Sequence, residues 1–254
     1  MLETLSQLHR RNKLLTRLGW LFWLLAFICT ILYQAQPNNL ITGINAWIKP
    51  FKFAASIALF SWTMAWFLHY LSDKKAVHRY SIMVVVVMLI EQGIIMTQAF
   101  RGEKSHFNVS SSLHTILFAI MGVAITLLTV WTGYMTYLFF KQKTFTISST
   151  YLWGIRLGMI FFVLFSFEGG LMAQRLAHSV GGPDGSPGLP LLNWSRDLGD
   201  LRVAHFFGIH ALQLLPLAGR YLTTKSTQLF VLAALYFIMV MVYFVEALLG
   251  VPAF

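Results

Sequence analysis

Seven long apolar runs, separated by short polar stretches, set the pattern of this chain. Each run is close to or longer than the ~20 residues that an α-helix needs to cross the ~30 Å hydrocarbon core of a bilayer. The runs cover residues 18–33, 53–71, 80–100, 113–140, 151–176, 203–222 and 229–250. The pattern predicts an all-α, polytopic membrane protein, in which a bundle of seven transmembrane helices forms a single integral membrane domain over residues 1–254.

The distribution of basic residues predicts the orientation of this bundle. Twelve of the nineteen lysines and arginines fall before the first run or in and near alternate links, and the other seven fall in and near the remaining links. Because basic residues accumulate on the cytoplasmic side, we expect the basic segment 1–17 in the cytoplasm and the C-terminus outside. The expected location is the cytoplasmic (inner) membrane of a cell. The net charge of +10 therefore indicates a lipid bilayer as partner, not a nucleic acid.

Several well-defined chemistries are absent from the sequence. Cys29 is the only cysteine, which excludes an intrachain disulfide, a cysteine-held iron–sulfur cluster and covalent c-type haem. The seventh run has no lysine for a retinal Schiff base, and no nucleotide-binding loop occurs. Any haem must be held without a covalent bond.

Ionisable residues inside the runs are the main indication of function, since a charge in hydrocarbon costs a few kcal/mol or more. With a rise of ~1.5 Å per residue, Glu91, Glu168, His210 and Glu246 fall at a similar depth in the outer half of the bilayer. We expect Glu91 and Glu168 to carry protons. The alternative is a set of neutral acids and amides that join helices by modest hydrogen bonds.

Five of the eight histidines fall on the predicted outer side, which favours haem b as the leading cofactor hypothesis. His114, His205 and His210 are the candidate ligands, and Arg101 and Arg202 are candidate anchors for propionates or substrate. His205 and His210 lie about 140° apart around one helix, so at most one can face a given iron. On this hypothesis the protein moves electrons between a quinol-like donor and an external acceptor.

Three alternatives to a haem b protein stay open, because no residue spacing in the sequence is diagnostic of one cofactor or function. Glu91, Glu168 and His210 are also suitable ligands for a non-haem metal. The second functional hypothesis is a proton-coupled small-molecule transporter or sensor, with a pocket lined by Glu91, Gln98, Glu168, Arg175 and His210. The third is an accessory or assembly protein without chemistry of its own.

The longest link, 177–202, is rich in glycine and proline, which exclude regular structure from most of it. Its apolar residues, Trp194 among them, predict either a lid that folds over the bundle or a mobile outer loop. Asp200 stands next to the start of a helix and is expected to be its N-cap.

Overall fold

The computed structural model of the chain describes residues 2–185 and 188–254, and helices make up most of them. In chain order the helices are α1 (Leu2–Arg11), α2 (Lys13–Ala35), α3 (Ile48–Phe67), α4 (Lys74–Phe100), α5 (Ser112–Lys141), α6 (Ser149–Arg175), α7 (Leu201–Tyr221) and α8 (Ser226–Leu248). Over this described part, seven helices, α2 to α8, are long and apolar enough to cross a membrane. The predicted all-α class and its seven spans are confirmed to this extent, whereas the orientation of the termini stays a prediction.

Two short antiparallel strand pairs stand in the links. Strand β1 (Leu40–Ile41) pairs with β2 (Ile44–Asn45), and β3 (Ser179–Val180) pairs with β4 (Gly199–Asp200). Thr42 and Gly43 join the first pair with φ values of 49° and 79°, which is the backbone of a two-residue hairpin turn. The second pair brings the two ends of the long 176–200 loop together.

The basic N-terminal segment contains an amphipathic helix that the hydropathy of the sequence did not predict. Asn12 ends α1 and starts α2, where its side chain accepts a hydrogen bond from the backbone N–H of Leu15 at 3.1 Å. The guanidinium of Arg11 lies 3.7 Å from the ring centroid of Trp66 and donates to the Trp66 carbonyl at 3.2 Å. Cation–π and hydrogen-bond contacts therefore hold the basic segment against the end of α3.

The chain divides into two compact units, Met1–Leu128 and Thr129–Phe254, and the boundary falls inside α5. In the first unit, α2 packs along α3, and α4 contacts both helices. Gly19 on α2 leaves room for Trp62, whose Nε1 donates to the Thr16 carbonyl at 3.2 Å. Cys29 is fully buried in a cluster with Ala46, Trp47 and Ala99.

In the second unit, α6 and α7 approach each other unusually closely, and α8 packs against both. A Cβ at Gly154 would lie 2.6 Å from the Leu215 carbonyl oxygen, and one at Gly158 would lie 2.8 Å from the Ala211 carbonyl oxygen. Glycines four residues apart are a common device for close helix contact in membranes. The apolar core beside this contact includes Phe161, Phe165, Ala204, Ala233 and Val240.

Candidate functional site

In the first unit, α4 carries a buried carboxyl group that lacks a complete set of partners. Glu91 is only 5% exposed, and its Oε1 has no hydrogen-bond partner among the described residues. The adjacent Gln92 donates from Nε2 to the Pro50 carbonyl at 3.1 Å, whereas its Oε1 is also without a partner in the described chain. Since buried polar atoms are nearly always hydrogen-bonded in proteins, such atoms are candidates for a ligand or proton site.

Two turns further along the same helix, Gln98 contacts His114 at the start of α5. The Gln98 Nε2 lies 2.7 Å from His114 Nδ1 and also donates to the Lys104 carbonyl at 3.1 Å. Because a carbonyl only accepts, this amide orientation makes His114 Nδ1 an acceptor, and a neutral ring then carries its proton on Nε2. Gln98 is 1% exposed, and its Oε1 has no partner among the described residues.

The 101–111 loop connects this pair to the surface through Glu103. The Oε2 of Glu103 lies 3.9 Å from His114 Nε2, and the Glu103 side chain is 44% exposed. Asn108 organises the loop, because it donates to Glu103 at 3.3 Å and to the Lys104 carbonyl at 3.1 Å. Arg101, a predicted anchor, is exposed at the end of α4. Glu103 was not predicted as a site residue.

His106 in the same loop is packed among aromatic rings. Its ring centroid lies 5.4 Å from that of Phe53 and 6.4 Å from that of Phe118. Burial lowers the pKa of His106 well below its ordinary value, and the charge of Lys49 lowers it further. Lys49 also acts electrostatically on Glu91. From the sequence, the position of Lys49 beside Trp47 and Pro50 is typical of a headgroup anchor, so its electrostatic effect on Glu91 and His106 was not expected.

In the second unit, the structure brings together Glu168 on α6 and His205 on α7. The His205 Nδ1 lies 2.7 Å from the Phe165 carbonyl oxygen and 3.2 Å from Glu168 Oε2. The His205 Nδ1–H is directed at the Phe165 carbonyl. The Glu168 carboxyl group is therefore close enough to His205 for an ion pair, but it does not accept this hydrogen bond. Neither carboxyl oxygen of Glu168 has a hydrogen-bond partner among the described residues, although its side chain is only 7% exposed.

The Nδ1 atoms of His210 and His205 have different hydrogen-bond partners. Its Nδ1 lies 3.2 Å from Gln213 Oε1, and its ring centroid is 4.4 Å from that of Phe206. Arg175, one of the residues expected to line a pocket, is exposed at the end of α6. Glu246 is half-buried near the end of α8.

The 176–200 loop is folded onto the second unit around two aspartates. Asp184 accepts backbone N–H bonds from Ser179 at 2.9 Å and His178 at 3.2 Å, and the His178 Nδ1 lies 3.2 Å away. Burial alone would raise the pKa of Asp184, but the nearby His178 and these N–H donors outweigh burial and lower it. Trp194 is buried and stacks on Phe254 with ring centroids 5.7 Å apart.

Asp200 is the N-cap of α7, as expected, and its side chain is 1% exposed. It accepts from the backbone N–H of Ser195 at 2.9 Å and from Arg202 Nε at 2.9 Å and Nη2 at 2.5 Å. The same Nη2 donates to the Asn193 carbonyl at 2.5 Å. Arg202, a predicted anchor for propionate or substrate, is therefore engaged in holding the loop.

No group of three or more histidine, cysteine, aspartate or glutamate side chains suited to a metal ion occurs among residues 2–185 and 188–254. Of the metal ligands considered from the sequence, Glu91 belongs to the first unit, whereas Glu168 and His210 belong to the second.

These features indicate a multi-pass α-helical membrane protein with polar groups inside its apolar helices. No family model, curated protein or solved structure matches the chain.

Proposed function

We propose that this protein is a proton-coupled transporter or sensor of a small molecule in the cytoplasmic membrane, with its N-terminus in the cytoplasm. The observation that carries the proposal is the buried Glu91 carboxyl group, whose Oε1 has no partner in the described chain. A carboxyl group that exchanges its proton with a pathway or a ligand gains the partner that the surrounding protein does not supply.

A line of polar groups leads from Glu91 towards the surface. Gln98 is seven residues away on the same helix face, about 10.5 Å along the axis. It contacts His114 at 2.7 Å, and His114 lies 3.9 Å from the half-exposed Glu103. The Gln98 amide does not itself take up a proton, so water molecules have to carry the proton from His114 past Gln98 to Glu91. On this proposal Glu103 and His114 collect protons and Glu91 is their buried acceptor.

The test is a flux measurement on purified protein in liposomes that contain a pH-sensitive dye. With an imposed proton gradient, a panel of amines, amino acids, sugars and carboxylic acids is added outside the vesicles. We expect internal acidification with one class of compound and a large loss of that signal in Glu91→Gln. Glu246→Gln is the matched control, since it changes a half-buried glutamate outside the polar line. Compound-driven flux that survives Glu91→Gln undamaged contradicts the proposal.

A second candidate, electron transfer with haem b, is favoured by the geometry of His205. Its Nδ1–H bonds to the Phe165 carbonyl at 2.7 Å, which leaves Nε2 as the atom with a lone pair. Metal-ligating histidines commonly have this arrangement. His114 is less suitable, because its neutral ring has the proton on Nε2. A reduced-minus-oxidised visible spectrum of the purified protein distinguishes the candidates: haem bands that disappear in His205→Ala favour electron transfer, and a colourless protein eliminates it.

A further inference from the structure

One end of the first unit carries an excess of basic side chains. This basic end consists of residues 2–17 and 68–81, which together contain seven lysines and arginines but only two acidic residues. Helix α1 packs against α2 and α3, and Asn12 Nδ2 donates to Ser81 Oγ at 2.8 Å, so the fold brings both segments together. The basic residues are Arg10, Arg11, Lys13, Arg17, Lys74, Lys75 and Arg79.

Two of these cations converge on the short 3₁₀ turn Leu68–Tyr70, which follows α3. The guanidinium of Arg11 lies 5.0 Å from the ring centroid of Tyr70, and Lys74 Nζ donates to the His69 carbonyl at 2.9 Å. Both cations act electrostatically on the His69 ring, and His69 is exposed. Two positive charges therefore lie around one turn that contains no carboxylate.

Four more basic side chains form like-charge pairs on the helices of the basic end. Lys13 and Arg17 are four residues apart on α2. Lys75 and Arg79 have the same spacing on α4. All four side chains are exposed, and like charges at this spacing are neighbours that destabilise a helix. An anion that binds between them removes this repulsion.

The acidic residues of the basic end do not neutralise these charges. Asp73 is the N-cap of α4 and accepts from the backbone N–H of Ala76 at 2.9 Å, and Glu3 is exposed on α1. The ion pairs found in the described part of the chain all lie outside the basic end. The fold therefore leaves a positive charge that an anionic partner can compensate.

The basic end lies at the level where the apolar helices leave the bilayer. Helices α2 and α4 begin there, α3 ends there, and all three are long and apolar enough to cross a membrane. Helix α1 is amphipathic: Leu8 is 6% exposed where α1 packs on α2 and α3, whereas Arg10 is exposed. Amphipathic helices with a basic polar face are typical of the membrane surface. The layer around the basic end is therefore that of the lipid headgroups.

We propose that the basic end is a docking surface for the headgroups of anionic phospholipids. Clusters of about four to eight basic residues beside a membrane span are typical of such recognition, because lipid phosphates are concentrated at the same level. On the predicted orientation these lipids belong to the cytoplasmic leaflet. The inference goes beyond the proposed function and does not depend on proton coupling.

The test measures thermal unfolding of the detergent-purified protein at increasing mole fractions of dioleoyl phosphatidylglycerol. Dioleoyl phosphatidylcholine is the control lipid, since it has the same acyl chains and no net charge. Glycerol 3-phosphate and polyglutamate are the control anions, because they represent a soluble phosphate and an acidic protein. We expect phosphatidylglycerol to raise the unfolding temperature more than the other three, and high salt to reduce the difference.

A double variant, Lys75→Gln with Arg79→Gln, removes one exposed like-charge pair. We expect the mole fraction of phosphatidylglycerol that gives half of the stabilisation to rise roughly fivefold or more, because each basic residue contributes to headgroup binding. The matched control is Lys141→Gln with Lys143→Gln, which removes two exposed basic side chains from the second unit. The control should leave that mole fraction nearly unchanged.

Equal stabilisation by phosphatidylcholine, or equal effects of the two double variants, overturns the inference. Equal stabilisation by polyglutamate also overturns it and indicates an acidic protein partner, and equal stabilisation by glycerol 3-phosphate indicates a soluble anion instead. If the Lys75 and Arg79 variant fails to fold, Lys13→Gln with Arg17→Gln replaces it, with the same expected result and the same control.

Discussion

The 101–111 loop of the first unit and the 176–200 loop of the second both place histidine beside carboxylate, but they use the pairs differently. In the 176–200 loop, Asp184 and Asp200 each accept several hydrogen bonds. In the 101–111 loop, Glu103 is half-exposed and lies 3.9 Å from His114, close to a glutamine oxygen that has no partner in the described chain. The comparison teaches that satisfied carboxylates hold a loop in place, whereas incompletely satisfied groups are the candidates for chemistry.

The largest expected effect comes from Asp200→Ala. This change removes the N-cap of α7 and leaves the Arg202 guanidinium, which is 24% exposed, without its carboxylate. We expect a loss of about 3 kcal/mol in the free energy of unfolding, measured by chemical unfolding in detergent. Asp197→Ala is the control because Asp197 is exposed in the same loop. Equal losses in the two variants would show that Asp200 does not hold the loop.

A smaller effect is expected for Asn108→Ala in the 101–111 loop. Asn108 is buried and bonds to Glu103, Lys104 and Ser110. We expect a loss of about 1–2 kcal/mol, since several loop groups lose their partner but remain near water. The control is Val109→Ala, which truncates a 51% exposed neighbour. The same variant should also slow proton flux if Glu103 has to be positioned beside His114.

The smallest effect is a difference in acid sensitivity between the two loops. The pKa of His106 is lowered in the folded protein, so the unfolded chain binds more protons and stability falls as the pH drops below about 6.5. The pKa of Asp184 is also lowered, but its stabilising contribution is lost only as the pH falls below about 3.9. Hydrogen exchange, corrected for intrinsic rates, should therefore show the 101–111 loop opening first.

His106→Phe and Asp184→Asn test whether the two pKa shifts cause the 101–111 loop to open before the 176–200 loop. His106→Phe keeps an aromatic ring against Phe53 and Phe118, and it should remove the step near neutral pH in the 101–111 loop only. Asp184→Asn should remove the acidic step in the 176–200 loop only. If the two loops open together in the wild type, the pKa difference does not control their stability.

The long helices could be located from the sequence because each one contains an apolar run long enough to cross a bilayer. The third run was expected from residue 80, but α4 begins at Lys74, since Asp73 caps a polar first turn that hydropathy does not detect. Helix α1 was missed because it is short and polar; its stability depends on contacts such as Arg11 with Trp66. Short polar helices of this kind need tertiary structure to be stable.

The candidate site was predicted only in part. The helical period predicted that Glu91 and Gln98 share one helix face and that His205 and His210 face different directions. The contact between Gln98 and His114 depends on the conformation of the intervening loop, where Gly102 has a φ of 69° and Phe107 a φ of 59°. The contact between Glu168 and His205 depends on how α6 and α7 are rotated about their axes, which hydropathy does not determine. That these residues bind haem b or a proton stays a prediction.

The burial of Cys29 makes the protein suitable for thiol labelling without prior removal of its own cysteine. It is the only cysteine in the chain, and it is 0% exposed in the core of the first unit. A maleimide reagent that does not cross membranes should therefore react only with cysteines introduced at the surface. In a sealed right-side-out vesicle, an external reagent would label a single cysteine at Val109 and not one at Thr224, both exposed positions, if the predicted orientation is correct.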